Sequence, residues 1–194
     1  MRLAAAADVD SDEEEPVFGA EHIEHWKRVM DRCTLPSAQK MLPHLDPSDP
    51  LGVDLKRSGV SEDGLYGVMT REKAKHPTKV LLVRVGEFYE AMGYDAAVLV
   101  QFAGLNPMGD KPFKAGTQVM NLRSTLDKLL RQGFAVAIVE EAPQERIYGQ
   151  MSARKTRYLA GVVTPSTPDY VHGLARLDQG AWPRQGYRVV ASLC

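Results

Sequence analysis

Phe88 and Glu90 stand one residue apart just behind a glycine, in the run Val85-Gly86-Glu87-Phe88-Tyr89-Glu90. An apolar stretch ending at Val85 leaves Gly86 to turn the backbone and the next residues to project from the end of a sheet. If the link stays extended, Phe88 and Glu90 point the same way, because residues two apart in an extended chain share a face. An aromatic ring beside an acid on a rigid platform can wedge into a base step, while the carboxyl, protonated or bridged by water, hydrogen-bonds a base edge. The same spacing fits plain packing, with Phe88 capping the core and Glu90 in the first turn of a helix, where its charge suits the dipole. Spacing alone leaves both readings open.

Other residues with chemical potential do not assemble into a constellation. His22 and His25 lie three apart on a helical pattern and could hold a metal, but the alternating Glu21 and Glu24 make a solvated helix face the simpler reading. Glu140 and Glu141 close an apolar run with no nucleophile or metal partner visible. Asp12 to Glu15 lack the loop that shapes a calcium site. Cys33 and Cys194 are the only cysteines and form no CxxC pair, which argues against a disulfide framework and against zinc. No catalytic residue, metal or cofactor is therefore expected.

The elements that must position these residues are clearest in the middle of the chain. Residues 79–85 form a continuous apolar run of strand length, buried on both faces apart from Arg84. Residues 89–104 place Met92, Ala96, Leu99 and Phe102 or Ala103 on one helical face, with Gly104 as a stop. Residues 106–118 carry turn signals and read as a loop. Residues 121–133 read as a helix with Asn121 as its cap, Leu122, Leu126, Leu129 and Leu130 inward, and Gly133 at its end. Residues 134–141 are a second core strand, 158–163 a third candidate and 187–194 an apolar strand with no obvious partner. This order predicts an α/β (α+β) fold, a mixed β-sheet flanked by helices with an N-terminal helical extension.

The flanks differ in composition. Residues 1–19 form an acidic leader of low hydrophobicity. Residues 20–66 hold an amphipathic helix, with Ile23, Trp26, Met30 and Cys33 as its stripe, and then a linker rich in Pro and Gly. Residues 67–160 are the core domain, and 161–194 begin a further segment. The net charge of −1 over 194 residues is unevenly spread. Residues 1–70 carry 7 Lys/Arg against 14 Asp/Glu, whereas residues 71–160 carry 14 against 9. A basic middle permits contact with a polyanion without requiring it. At 44% hydrophobic the chain can bury one sizeable core. It has no run of 18 apolar residues and no signal-peptide pattern.

In order, "RVGEFYEA", "FAGLNPMG", "KAGTQVMNLRSTLDKLLRQGFAVAIVEEA", "ARKTRYLAG" and "VVTPST" resemble the N-terminal mismatch-recognition domain of the MutS family of DNA mismatch repair proteins. Together with "LGVDLKRSG" they look most like the family's plant organellar branch, over roughly residues 26–194. The resemblance implies a mixed sheet with helices, Phe88 stacking on a mispaired base from the minor groove, Glu90 as its hydrogen-bonding companion and Tyr89 facing inward. It also implies an organellar location, in chloroplast or mitochondrion, and double-stranded DNA with mismatches as partner. Lys111, Lys114 and Arg123 are candidates for the DNA backbone, adding affinity that is salt-sensitive and blind to sequence. A structural alternative is a MutS-derived accessory subunit of a large organellar complex, such as a ribosome or a photosynthetic or respiratory assembly. Such a complex would hold the acidic leader and the last strand. The chain departs from the family in reading Ser166 within "VTPST" and in having no GxxxxGK[ST], so ATP hydrolysis is not expected of it alone.

Overall fold

The computed structural model describes residues 19–53, 64–109, 112–142 and 155–168. Strand β1 (Val80–Val85) is apolar on both faces because it runs through the middle of the sheet, where helices cover it on either side. The six strands lie in the order β3-β4-β2-β1-β5-β6, with β2 at Phe88–Met92, β3 at Pro107–Met108, β4 at Lys114–Gln118, β5 at Val136–Glu141 and β6 at Arg157–Val163. Only β1 and β5 run parallel, so the sheet is mixed, as expected.

Two apolar layers enclose the sheet. Helices α1 (Ala20–Met30), α4 (Gly93–Val98) and α5 (Leu122–Arg131) pack on Val80, Leu82, Tyr89, Ala91 and Ile138. Helix α3 (Leu65–Lys75), with Leu51 and Val53, packs on Leu81, Val83, Met92 and Val139. The short α2 (Pro36–Gln39) sits in what reads from sequence as linker. The leucines foreseen as the inward face of α5 are all buried, and Gly133 follows its end at a φ of 86°. In the α1 stripe Trp26, Met30 and Cys33 are buried, but Ile23 is only half-buried.

Several expectations need correction. Residues 88–92 are strand, not the start of a helix from Tyr89. Gly86, at a φ of 62°, closes a two-residue turn, and the chain folds back on β1 with Val85 opposite Phe88 and Val83 opposite Glu90. The helix begins four residues after Tyr89, at Gly93, and runs into a π-helical turn over Leu99–Ala103 before Gly104 stops it. Residues 106–118 are not all loop, because Ala115 and Thr117 alternate inward and let β4 pair with β2. Arg84 is buried, not the exposed exception in β1, since Glu140 on β5 lies beside it with Arg84 Nη1 3.4 Å from Oε2. Residues 1–18 of the acidic leader, residues 54–63, Lys111 and the 187–194 strand lie outside the described residues.

At the start of β1 the helices meet over a buried ion pair that sequence patterning does not reveal. Lys73 Nζ donates to Asp95 Oδ1 at 2.6 Å and to the Lys79 carbonyl at 2.7 Å, while Asp95 Oδ2 accepts the Leu81 N–H. The Trp26 ring lies over the ammonium at 4.2 Å and stacks on Tyr94. Burial pushes Lys73 down and Asp95 up, each against the pull of the opposite charge. Gly93, at a φ of 55°, sits where a Cβ would come within 2.2 Å of the Pro50 carbonyl oxygen, which also accepts the Tyr94 N–H. This contact ties the 46–53 segment to the first turn of α4.

Candidate nucleic-acid interface

Strand alternation separates neighbours in β2 onto opposite faces. Tyr89 and Ala91 enter the core under α4 and α5, while Phe88, Glu90 and Met92 occupy the face that α3 covers. That cover runs out along the strand: Met92 is fully buried, Glu90 half-buried, and Phe88 40% exposed next to a Tyr89 that is 0% exposed. The aromatic ring and the carboxylate therefore share a face at the end of the sheet where packing stops.

Their surroundings are shaped by β3 and β4. Glu90 is opposite Gly116, and a Cβ there would lie 3.5 Å from Glu90 Cγ, 3.1 Å from Met108 Cε and 3.0 Å from the Tyr89 carbonyl oxygen. A side chain at 116 would thus be crowded, and the methyl of Met108, itself partly exposed, lies over the glycine beside Glu90. Phe88 is opposite the exposed Gln118, and Met120 projects from the turn that follows. Lys114 reaches to 3.9 Å from Glu90 Oε2 and lies over the Tyr66 ring at 5.4 Å, so its ammonium is beside the candidate acid. Arg123 is exposed on the first turn of α5, in the helix layer on the other side of the sheet. The fold thus brings Phe88, Glu90 and Lys114 onto one face and leaves Arg123 apart from them.

The turn before Phe88 is held by charged groups from three strands. The Gly86 N–H donates to Glu141 Oε1 at 3.3 Å, and the Gly86 carbonyl accepts from Arg84 Nε at 3.0 Å. Glu141 also accepts from Lys155 Nζ at 2.7 Å and Arg157 Nη2 at 2.9 Å. Burial raises the Glu141 carboxyl, but the bonds from Lys155 and the Gly86 N–H, with the Lys155 and Arg157 charges, outweigh it and hold the group below its ordinary value. On the other side of the hairpin the Tyr89 hydroxyl donates to Glu140 Oε1. Glu140 and Glu141, which look partnerless in sequence, are thus bound to the hairpin that carries Phe88. The available signal was an arginine in an apolar strand and two acids ending another, but pairing them required knowing that β1 and β5 are neighbours.

The remaining candidates do not assemble. His25 meets the Trp26 ring edge-on, and burial together with the Lys73 charge pushes its imidazole down. Among the described residues no three His, Cys, Asp or Glu side chains gather as metal ligands, and no helix is long and apolar enough to cross a membrane. Burial pushes the Cys33 thiol up to about 11, leaving it a packing residue.

The described residues thus form a mixed sheet with helices on both faces and an aromatic–acid pair at the end of one strand. The model of MutS domain I matches residues 69–170, more than half the chain, and the chain belongs to that family. It is 42% identical over 165 residues to the mitochondrial DNA mismatch repair protein MSH1 of Arabidopsis thaliana, covering 81% of this chain and 14% of that protein. It is also 35% identical over 99 residues to the DNA mismatch repair protein MutS of Parabacteroides distasonis, covering 48% of this chain and 11% of the relative. With MutS of Thermus caldophilus it shares 30% identity over 145 residues, covering 68% and 18%. The chain thus spans less than a fifth of the length of each.

Proposed function

We propose that this chain recognises mismatched double-stranded DNA, with Phe88 stacking on a mispaired base and Glu90 hydrogen-bonding its edge. The observation that carries the reading is the exposure of Phe88 on the same face as Glu90, beside a fully buried Tyr89. A packing residue at a strand end would be covered; this ring is available to a flat partner. Lys114 brings a cation to the same face, so a carboxylate approaching phosphates does so with its charge partly balanced. Backbone contact by Lys111 or Arg123 would add affinity for any sequence. We assign the chain recognition without ATP turnover, since its sequence holds no phosphate loop of the GxxxxGK[ST] kind. Release of phosphate by pure protein above a contaminant control would contradict this. Work in an organelle is supported by the similarity to a mitochondrial relative, and a fluorescent fusion of the full gene product distinguishes mitochondrion from chloroplast.

The test is an anisotropy titration of the whole chain at low salt against short duplexes that are matched or carry one G·T pair. Tighter binding of the mismatched duplex is expected. Equal affinity for both would overturn the reading and favour a role as a protein-bound accessory subunit, with Phe88 covered by another chain.

A further inference from the structure

We infer that Glu141 is a positioning residue for mismatch recognition: it clamps the turn that aims Phe88, acting from β5 through Gly86. The inference rests on the wedge reading of Phe88 and adds a residue whose carboxylate is bound to groups of the protein itself.

Phe88 is the first residue of β2 and follows a turn of only Gly86 and Glu87. A hairpin tip has few neighbours, and its end frays unless something beyond the ladder holds it. Here both polar groups of the Gly86 residue are held by charged side chains, the N–H by Glu141 and the carbonyl by Arg84. Glu141 is fixed in turn by Lys155 and Arg157, and Arg157 Nε donates to the Arg84 carbonyl at 3.2 Å. Arg84 reaches Glu140, which accepts from the Tyr89 hydroxyl beside Phe88. The hairpin tip is therefore bolted to β5 and β6 by bonds to charged groups, the stronger kind. An aromatic that must select between a stacked and an unstacked base step gains discrimination when its own position is already fixed, because ordering it on contact would weaken every complex. Arg84 and Glu140 lie on the Tyr89 side of the sheet, whereas Glu141 and Arg157 continue the alternation of Val139 and Leu159 on the face of Phe88 and Glu90, two and three strands away, where the Glu141 carboxylate is taken up by the Gly86 N–H, Lys155 and Arg157.

The test compares the whole wild-type chain with Glu141→Ala, Lys155→Met and Phe88→Ala, each followed by thermal melting, by amide hydrogen exchange without DNA, and by titration with matched and G·T duplexes at low salt. Glu141→Ala should raise exchange of the Gly86 amide about tenfold. It should lower the mismatched-to-matched preference about as far as Phe88→Ala does, with matched affinity unchanged or slightly higher because a negative charge is gone. Lys155→Met, which removes one exposed restraint on Glu141 and leaves folding intact, should move both readouts in the same direction by about twofold. Unchanged Gly86 exchange in both variants overturns the clamp. Faster exchange with an unaltered preference overturns the positioning role, provided Phe88→Ala abolishes the preference. If Phe88→Ala also leaves it unaltered, the wedge reading itself has failed. If Glu141→Ala does not fold, Lys155→Met decides alone, and no change in either of its readouts contradicts the proposal.

Discussion

Two pairs of lysine and carboxylate sit against this sheet, one sealed beneath helices and one half-exposed, and they do opposite work. Lys73 and Asp95 are 0% exposed and 2.6 Å apart, with further hydrogen bonds to the backbone and an indole over the ammonium. Lys114 and Glu90 are 3.9 Å apart with side chains 26% and 20% exposed, and a glycine stands opposite the acid. The first pair cannot exchange partners without taking the fold with it, since a buried charge left alone is costly. The second can release Glu90 to another donor at little cost, because water screens a half-exposed pair. Identical chemistry becomes scaffold in one place and a candidate contact in the other, and burial decides which.

The contrast breaks most visibly at the buried pair. Asp95→Ala should cost about 3–5 kcal/mol by stranding Lys73, against a total of roughly 5–15 kcal/mol. Urea unfolding would show it as a large fall in midpoint, and an unchanged midpoint would mean that the pair does not hold the helices. Gly93→Ala should cost more than about 1 kcal/mol, because alanine is strained at a φ of 55° and its Cβ meets the Pro50 carbonyl. Thermal melting checks it, and a gain in stability would refute the close approach.

The Glu141 clamp should give a smaller effect with a defined pH sign. Its folded pKa is depressed, so its stabilisation is fully present above the ordinary value of 4.5 and is lost as pH falls through the lower folded value. Stability measured from pH 6 downward should decline in that acid window, and Glu141→Gln should flatten the decline; an identical slope in the variant would contradict the assignment. At the half-exposed pair, Lys114→Met should change stability by less than about 1 kcal/mol. A larger loss by calorimetry would show that the second pair is scaffold too.

What was legible in the chain follows from how local each signal is. Strand β1 and helix α5 could be read directly, one from an unbroken apolar run and the other from leucines at helical spacing. The hairpin could not, because Tyr89 to Leu99 also satisfies a helical stripe and the turn Gly86-Glu87 lacks the usual Asn-Gly or Asp-Gly signature. Strand β4 was hidden by its length and by Gly116, which weakens a strand pattern while admitting the close approach of the Met108 methyl and the Tyr89 carbonyl. Phe88 and Glu90 were visible as residues, but their shared open face depended on β2 being a strand. Pairings such as Lys73 with Asp95, or Glu141 with Gly86, join residues 22 and 55 positions apart and exist only once the sheet is ordered.

The availability of the Phe88 end is tested most directly by the ratio of mismatched to matched duplex affinity in the wild-type chain and in Phe88→Ala, at low salt and with melting checked in parallel. Stacking of an aromatic on a base is worth about 1–3 kcal/mol. The preference should therefore fall at least about fivefold in Phe88→Ala while its melting temperature stays at the wild-type value. A preference that survives the substitution, or a wild-type chain with none, would contradict the account.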